Sequence, residues 1–246
     1  MTKTLILIPS RMAATRLPGK PLLKINNLSI ISHVFKRAEE ANIGEVVVAT
    51  DNQEILNDVL RNGGRVILTS KNHKTGTDRI FEAYEKLNIK NIDYILNLQG
   101  DEPDINKEDI INLNNFMINH DVEIGTLAAK IQDDKMLNNK NLVKVITDKK
   151  LVENNFPKAL NFTRDNLSTI SQNIYHHIGI YSYKVSVLKK FVSLDQTNNE
   201  KENKLEQLRA LDNKIKINVA LAKSSPIGVD TEEDYLAIKK IMEYKI

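Results

Sequence analysis

Four short apolar runs, each the length of a buried strand and each followed by a helical stripe or a turn, constrain this chain more than any other feature. Leu5-Ile6-Leu7-Ile8 stops at Pro9, Val46-Val47-Val48-Ala49 and Val66-Ile67-Leu68 follow, and Tyr94-Ile95-Leu96-Asn97-Leu98 is the fourth. Between them Ile30, Ile31, Val34, Phe35 and Ala38 recur at helical spacing, as do Ile55, Leu56, Val59 and Leu60, then Ile80, Phe81, Tyr84 and Leu87. Continuous apolar runs suit strands covered on both faces, and their alternation with amphipathic helices predicts an α/β fold around a mainly parallel, Rossmann-like sheet.

The middle of the chain reads differently. Ile124 to Lys130, Val143 to Thr147, Ala159 to Thr163 and Tyr175 to Tyr183 read as strands joined by polar, Asn-rich connections. Ile215, Ile217, Val219 and Leu221 alternate strictly, as a strand with one exposed face does. Glu232 to Tyr244 reads as a final helix capped by Thr231, with Asp234 placed to complete a capping box. With no internal repeat and no clear linker, the expectation is one domain over 1–246 carrying an inserted mixed β segment around 130–215.

Composition removes several chemistries. The chain has no cysteine, so disulfides, thiolate nucleophiles and cysteine-ligated metal centres are excluded. A net charge of +3 gives no bulk attraction to nucleic acid or membrane, so any positive charge that matters is local. No apolar run approaches the roughly 20 residues of a membrane span, and the first residues lack a signal-peptide pattern. A cytoplasmic protein is expected.

Local positive charge is found directly after the first strand. Arg11, Arg16 and Lys20 fall within ten residues, with no acid among them. In open α/β sheets ligands sit at the carboxyl ends of the strands. Two guanidiniums that can fork onto phosphate oxygens and one ammonium therefore read as a phosphate-binding loop. Pro21 after the lysine rules out a P-loop, and the single glycine, Gly19, rules out a dinucleotide-binding turn.

Ser10-Arg11 with Thr15-Arg16-Leu17-Pro18-Gly19-Lys20-Pro21 resembles the N-terminal signature of the 3-deoxy-manno-octulosonate (Kdo) cytidylyltransferases. The resemblance continues in order through Ala49-Thr50-Asp51, Thr75-Gly76-Thr77-Asp78-Arg79, Asn97-Leu98-Gln99-Gly100-Asp101-Glu102-Pro103, His177-Ile178-Gly179-Ile180-Tyr181, Leu205-Glu206-Gln207-Leu208-Arg209 and Gly228-Val229-Asp230-Thr231. It implies a nucleotidyltransferase-type sheet and transfer of CMP from CTP to Kdo for lipopolysaccharide synthesis. It also implies a homodimer, with the inserted segment binding the sugar and helping the chains pair.

Nucleotidyl transfer needs hard oxygen ligands for magnesium. Asp101, after the fourth strand, is placed to supply one. Asp230 would ordinarily be read as a helix cap, but Thr231 already serves there. The resemblance makes Asp101 and Asp230 the magnesium pair, and Arg11, Lys20 and Asp101 the catalytic set. Glu102 reads equally as a support for the turn before Pro103.

Thr77 or Asp78 is expected to cap the helix after the third strand. The resemblance adds nucleotide contacts from Thr75, Gly76 and Arg79 beside Arg11, Arg16 and Lys20. His177 and Tyr181, four apart on an alternating strand, share a face, with Gly179 between them and His176 facing the other way. Glu206 and Gln207 fall on the polar side of a helix striped by Leu205, Leu208 and Leu211. The resemblance makes these four, with Gln99 and Arg164, the sugar-acid ligands, Arg164 suiting a carboxylate clamp.

Two positions depart from the family pattern. Ala14 stands where a serine is common, and Asn26-Asn27-Leu28-Ser29 replaces a glycine-lysine turn, although asparagine tolerates positive φ. The alternatives left open are activation of another 2-keto sugar acid and a catalytically silent nucleotide-binding protein.

Overall fold

The computed structural model describes residues 2–13, 16–167 and 173–244. Ala14 therefore lies outside the described residues. Two compact units are formed, one from residues up to Ile110 together with those from Pro226 onward, the other from Ile111–Ser225.

The first unit begins with β1 (Thr4–Ser10), whose Leu5, Ile6, Leu7 and Ile8 are wholly buried. A 3₁₀ turn at Lys20–Leu22 leads into a small hairpin, β2 (Lys24–Ile25) and β3 (Leu28–Ser29). Asn26 and Asn27 turn it at φ 48° and 64°, the left-handed conformation that asparagine tolerates better than most residues. Ser29 caps α1 (Ile30–Glu40), and β4 (Gly44–Thr50) follows. Asn52 caps α2 (Gln53–Arg61), which precedes β5 (Val66–Leu68), α3 (Gly76–Leu87) and β6 (Tyr94–Asn97).

β1 pairs in parallel with both β4 and β6, and β4 with β5, giving the order β6-β1-β4-β5. Helices α1, α2 and α3 pack against these strands. The α/β class expected from the alternation is what forms. Two details of the helical stripes differ. Leu60 is 54% exposed, because β5 at the sheet edge leaves the end of α2 uncovered. In α3 the buried face is Thr77, Arg79, Ile80 and Ala83, with Phe81 and Tyr84 only half-buried.

Helix α4 (Lys107–His120) leads the chain into the second unit. There β7 (Ile124–Lys130), α5 (Asp134–Leu137), β8 (Lys144–Thr147), β9 (Ala159–Thr163) and β10 (Ile174–Lys184) are followed by α6 (Val185–Val192), α7 (Asn198–Asn203), α8 (Leu208–Asp212) and β11 (Ile217–Leu221). β10 runs antiparallel to β7 and β8, β8 antiparallel to β9, and β11 parallel to β7, so this sheet is mixed. β11 departs from strict alternation, since Ala220 is buried beside Val219.

The chain then returns to the first unit as α9 (Glu232–Glu243), whose Ile238 and Met242 pack with Val229, Ile25 and Ile30. Among the described residues no helix is long and apolar enough to cross a membrane.

Candidate active site

The strand order of the first unit reverses at β1. The chain runs outward through β4 and β5, then returns to lay β6 on the opposite side of β1. Ligands of open α/β sheets sit beyond the carboxyl ends of the strands at such a reversal. A cleft of about 380 Å³ lies there, lined by Pro9, Ser10 and Arg11 after β1, Arg16 and Lys20, His73 to Gly76 with Arg79, Gln99 to Asp101 after β6, and Asp230.

Two glycines make this geometry possible. Gly19 has φ 73°, which a side chain would disfavour, and it starts the 3₁₀ turn that carries Lys20 inward. A Cβ at Gly100 would lie 2.8 Å from the Pro9 carbonyl, so only glycine lets the Gln99–Asp101 turn rest on the end of β1. The Val229 amide donates to the Asp101 carbonyl at 2.9 Å, which fixes the entry to α9 beside that turn.

These constraints bring together charges distant in sequence. Lys20 Nζ donates to Asp101 Oδ2 at 2.6 Å, to the Val229 carbonyl at 2.8 Å and to Asp230 Oδ1 at 3.1 Å. Burial alone would lower the Lys20 pKa, but the charges and hydrogen bonds of Asp101 and Asp230 more than offset it and raise it above the ordinary value. Arg16 Nη2 reaches the other oxygen of Asp230 at 2.8 Å.

Asp230 is available for this because the capping box of α9 is complete without it. Thr231 Oγ1 accepts from the Asp234 amide, and Asp234 accepts from the Thr231 and Asp230 amides. Glu102, next to Asp101 in the chain, is 9% exposed, and burial with the nearby Asp101 charge pushes it up to about 8. Burial therefore favours the neutral form of the Glu102 carboxyl.

Nothing in the described structure gathers three or more histidine or acidic side chains into a metal centre. Magnesium does not require one. It keeps waters and substrate phosphates and takes one or two carboxylates from the protein. Asp101 and Asp230, two hard oxygen donors already converging on one ammonium, fit that description.

The far wall is the loop before α3. Its cap is Thr75, whose Oγ1 accepts from the Asp78 amide at 3.1 Å, in place of the expected Thr77 or Asp78. Thr77 is instead buried in the helix. Thr75 and Gly76 thus set the positive end of the α3 dipole at the cleft. Arg79 lines the cleft, but its guanidinium is committed to Asp51 at 2.7 Å and Thr69 Oγ1 at 2.6 Å, so it braces the loop. His73 bonds Glu82. Burial would raise Glu82, but Lys86, the Ser70 amide and His73 together hold it at about 2.

Sequence reasoning missed His73 and Lys74, which look like ordinary loop residues. Ser10, read there only as part of the signature, also lines the cleft, and its buried Oγ makes no hydrogen bond among the described residues.

The second unit holds the other candidate residues. His177 and Tyr181 were expected to share a face, and their ring centroids lie only 5.4 Å apart. A regular strand would separate residues four apart by about 13 Å. The register of β10 against β7 shifts between Ile178 and Tyr181, and this bulge closes the gap. Thr126 stitches it, donating to the Ile180 carbonyl at 2.7 Å, while His177 Nε2 lies 3.1 Å from the same hydroxyl.

His176 faces elsewhere and meets Ser225. Glu206 and Gln207 precede α8, with Gln207 at its cap position; they are not within the helix as expected. Arg164 is exposed after β9, its Nη1 donating to the Asn141 carbonyl at 2.8 Å.

Burial, with the charges of His176 and Arg164, pushes His177 down to about 3. In the unfolded chain it titrates near 6.5. Between these values the unfolded state binds the extra proton, so stability falls as pH drops below about 6.5. From pH 6.5 to pH 5 the native protein is expected to lose about 2 kcal/mol more than His177→Gln. Urea midpoints at the two pH values measure this; parallel changes in both proteins would refute it.

Residues 5–217 match the sequence profile of the cytidylyltransferase family. The chain is 44% identical to the 3-deoxy-manno-octulosonate cytidylyltransferase of Rhodopseudomonas palustris (strain BisB18), covering 99% of each chain. It is likewise 44% identical to that of Thermodesulfovibrio yellowstonii, covering 97% of this chain and 98% of the relative. A solved CMP:2-keto-3-deoxy-manno-octonic acid synthetase, complexed with CTP, superposes over 100% of both chains with a TM-score of 0.90 at 32% identity. With the cleft built from the same segments that carry the sequence signature, the chain belongs to the 3-deoxy-manno-octulosonate cytidylyltransferase family.

Proposed function

We propose that this chain transfers CMP from CTP to the anomeric hydroxyl of Kdo, releasing pyrophosphate, with magnesium held by Asp101 and Asp230. The observation that carries this reading is the convergence of Asp101, Asp230, Lys20 and Arg16 at the mouth of β1 and β6. It combines a carboxylate pair for a cation with fixed positive charge for a triphosphate. Cytosine and Kdo rest on the similarity to relatives bearing those names.

The reaction is an in-line displacement. The anomeric oxygen bonds to the α-phosphorus, the bond from that phosphorus to pyrophosphate breaks, and the hydroxyl proton leaves to solvent. Arg11, Arg16 and Lys20 bind the triphosphate and neutralise the charge that grows on the leaving group. Thr75, Gly76 and Arg79 shape the nucleotide wall. Magnesium, when bound, supplies Lewis-acid activation of the attacking hydroxyl. Arg164 is assigned to the sugar carboxylate, and Gln99, His177, Tyr181, Glu206 and Gln207 to the rest of the sugar acid. The same resemblance makes a cytoplasmic homodimer, with the 130–215 segment binding sugar and pairing chains, the form in which it is expected to act.

Pyrophosphate release, measured with CTP, magnesium and a panel of sugar acids, tests the reading. Release is expected with Kdo. Release with a sialic acid but not Kdo would reassign the substrate, and no release with any sugar acid would overturn the enzyme.

A further inference from the structure

We infer that Lys144 is a positioning residue for the sugar acid, holding the turn that presents Arg164. This rests on the assignment of Arg164 to the sugar carboxylate. Lys144 opens β8 in the second unit and is 1% exposed, among the largest fully buried side chains of the described residues. An ammonium withdrawn from water is costly unless its donors are satisfied, and a methionine-sized apolar side chain would fill the same space without that cost.

Its acceptors are three backbone carbonyls from two loops. Nζ donates to Asn139 at 2.8 Å, to Asp165 at 3.3 Å and to Arg164 at 3.4 Å. The Arg164 guanidinium returns to the first of those loops, donating to the Asn141 carbonyl at 2.8 Å. Asp165 closes the turn on itself through Thr163 Oγ1, at 2.9 and 3.0 Å. The 139–141 loop and the 164–165 turn are thus clasped twice, once by the ammonium and once by the guanidinium.

The strand register puts this clasp among the candidate sugar residues. Lys144 pairs with Thr163, next to Arg164, and with His176, next to His177. The His177 amide donates to the Val143 carbonyl at 2.9 Å. Lys144 thus lies between the strand neighbours of Arg164 and His177, and its three donors match three carbonyls.

The test compares Lys144→Met, Arg164→Ala and the double variant in the full-length enzyme, with KM measured separately for Kdo and CTP. Because a misplaced binding group can lose up to about 100-fold, Lys144→Met is expected to raise KM for Kdo on the order of 10-fold while KM for CTP stays within about 3-fold. In the Arg164→Ala background the same substitution should add almost nothing, because the group it positions is gone. Full additivity, an unchanged KM for Kdo, or an equal loss for CTP would each overturn the inference. If Lys144→Met does not fold, Lys144→Gln keeps a donor for Asn139 and should show a smaller rise in the Kdo KM alone; no rise overturns the inference. Should Arg164→Ala itself leave the Kdo KM unaltered, the Arg164 assignment fails first, whatever Lys144 does.

Discussion

Asp101→Asn is expected to lower turnover on the order of 10²-fold or more, equivalent to about 2.7 kcal/mol of lost transition-state stabilisation, while CTP still binds. The substitution is nearly isosteric, and the turn that aims the side chain is held by backbone. Gly100 rests against the Pro9 carbonyl, and the Asp101 carbonyl accepts from Val229. An asparagine Oδ1 can still accept from Lys20, so the geometry survives and the charge alone is removed. If that charge holds a divalent cation, the magnesium concentration for half-maximal activity should rise as turnover falls. The dissociation constant for CTP should stay within about 5-fold, since Arg11, Arg16 and Lys20, the proposed phosphate ligands, are left in place. Turnover close to that of the parent would show that Asp101 does no more than hold Lys20. Collapse of CTP binding with an unchanged magnesium requirement would point to the same conclusion.

Much of this arrangement is legible in sequence, for identifiable reasons. β1, β4 and β6 announce themselves because strands covered on both faces must be apolar throughout, and ligands follow their carboxyl ends. Arg11, Arg16 and Lys20 are legible from that rule alone. The pairing of Lys20 with Asp230, 210 residues away, is not. No local pattern encodes it, and resemblance is the only route to it.

Other features are hidden because several residues are locally equivalent. Thr75, Thr77 and Asp78 can all cap a helix, and the fold chooses Thr75. Gly179 hints at irregularity in β10, but nothing in the run around it says that a bulge will bring His177 against Tyr181. Lys144 sits in a strand where polar residues ordinarily face solvent, so its burial and its three carbonyl partners emerge only in three dimensions. Arg79 has the composition of a ligand-binding residue, yet Asp51 and Thr69 claim its guanidinium.

Arg209→Met is expected to destabilise the protein by about 3–5 kcal/mol, the range for leaving one partner of a buried ion pair alone. Arg209 and Glu200 are each 3% exposed, and the guanidinium forks onto the carboxylate, Nε to Oε2 at 2.8 Å and Nη2 to Oε1 at 2.6 Å. Burial would raise the Glu200 pKa, but Arg209 and Gln196 more than offset this and keep it ionised. Arg209 also lies 4.7 Å over the Phe191 ring, so its removal takes packing with it. Glu200→Met should cost a similar amount, because it strands the guanidinium. The double variant Glu200→Met with Arg209→Met should recover most of the loss, since an apolar pair of similar volume replaces two desolvated charges. Denaturant midpoints distinguish the cases: singles that lose less than about 1 kcal/mol, or a double that loses their sum, would refute a coupled buried pair. The pair also bears on the candidate site, because Arg209 Nη2 lies 3.7 Å from Glu206 Oε1, just ahead of α8. Restored stability in the double variant should therefore leave the KM for Kdo raised, because the charge facing Glu206 is still missing; a normal Kdo KM would confine Arg209 to holding α7 against α8.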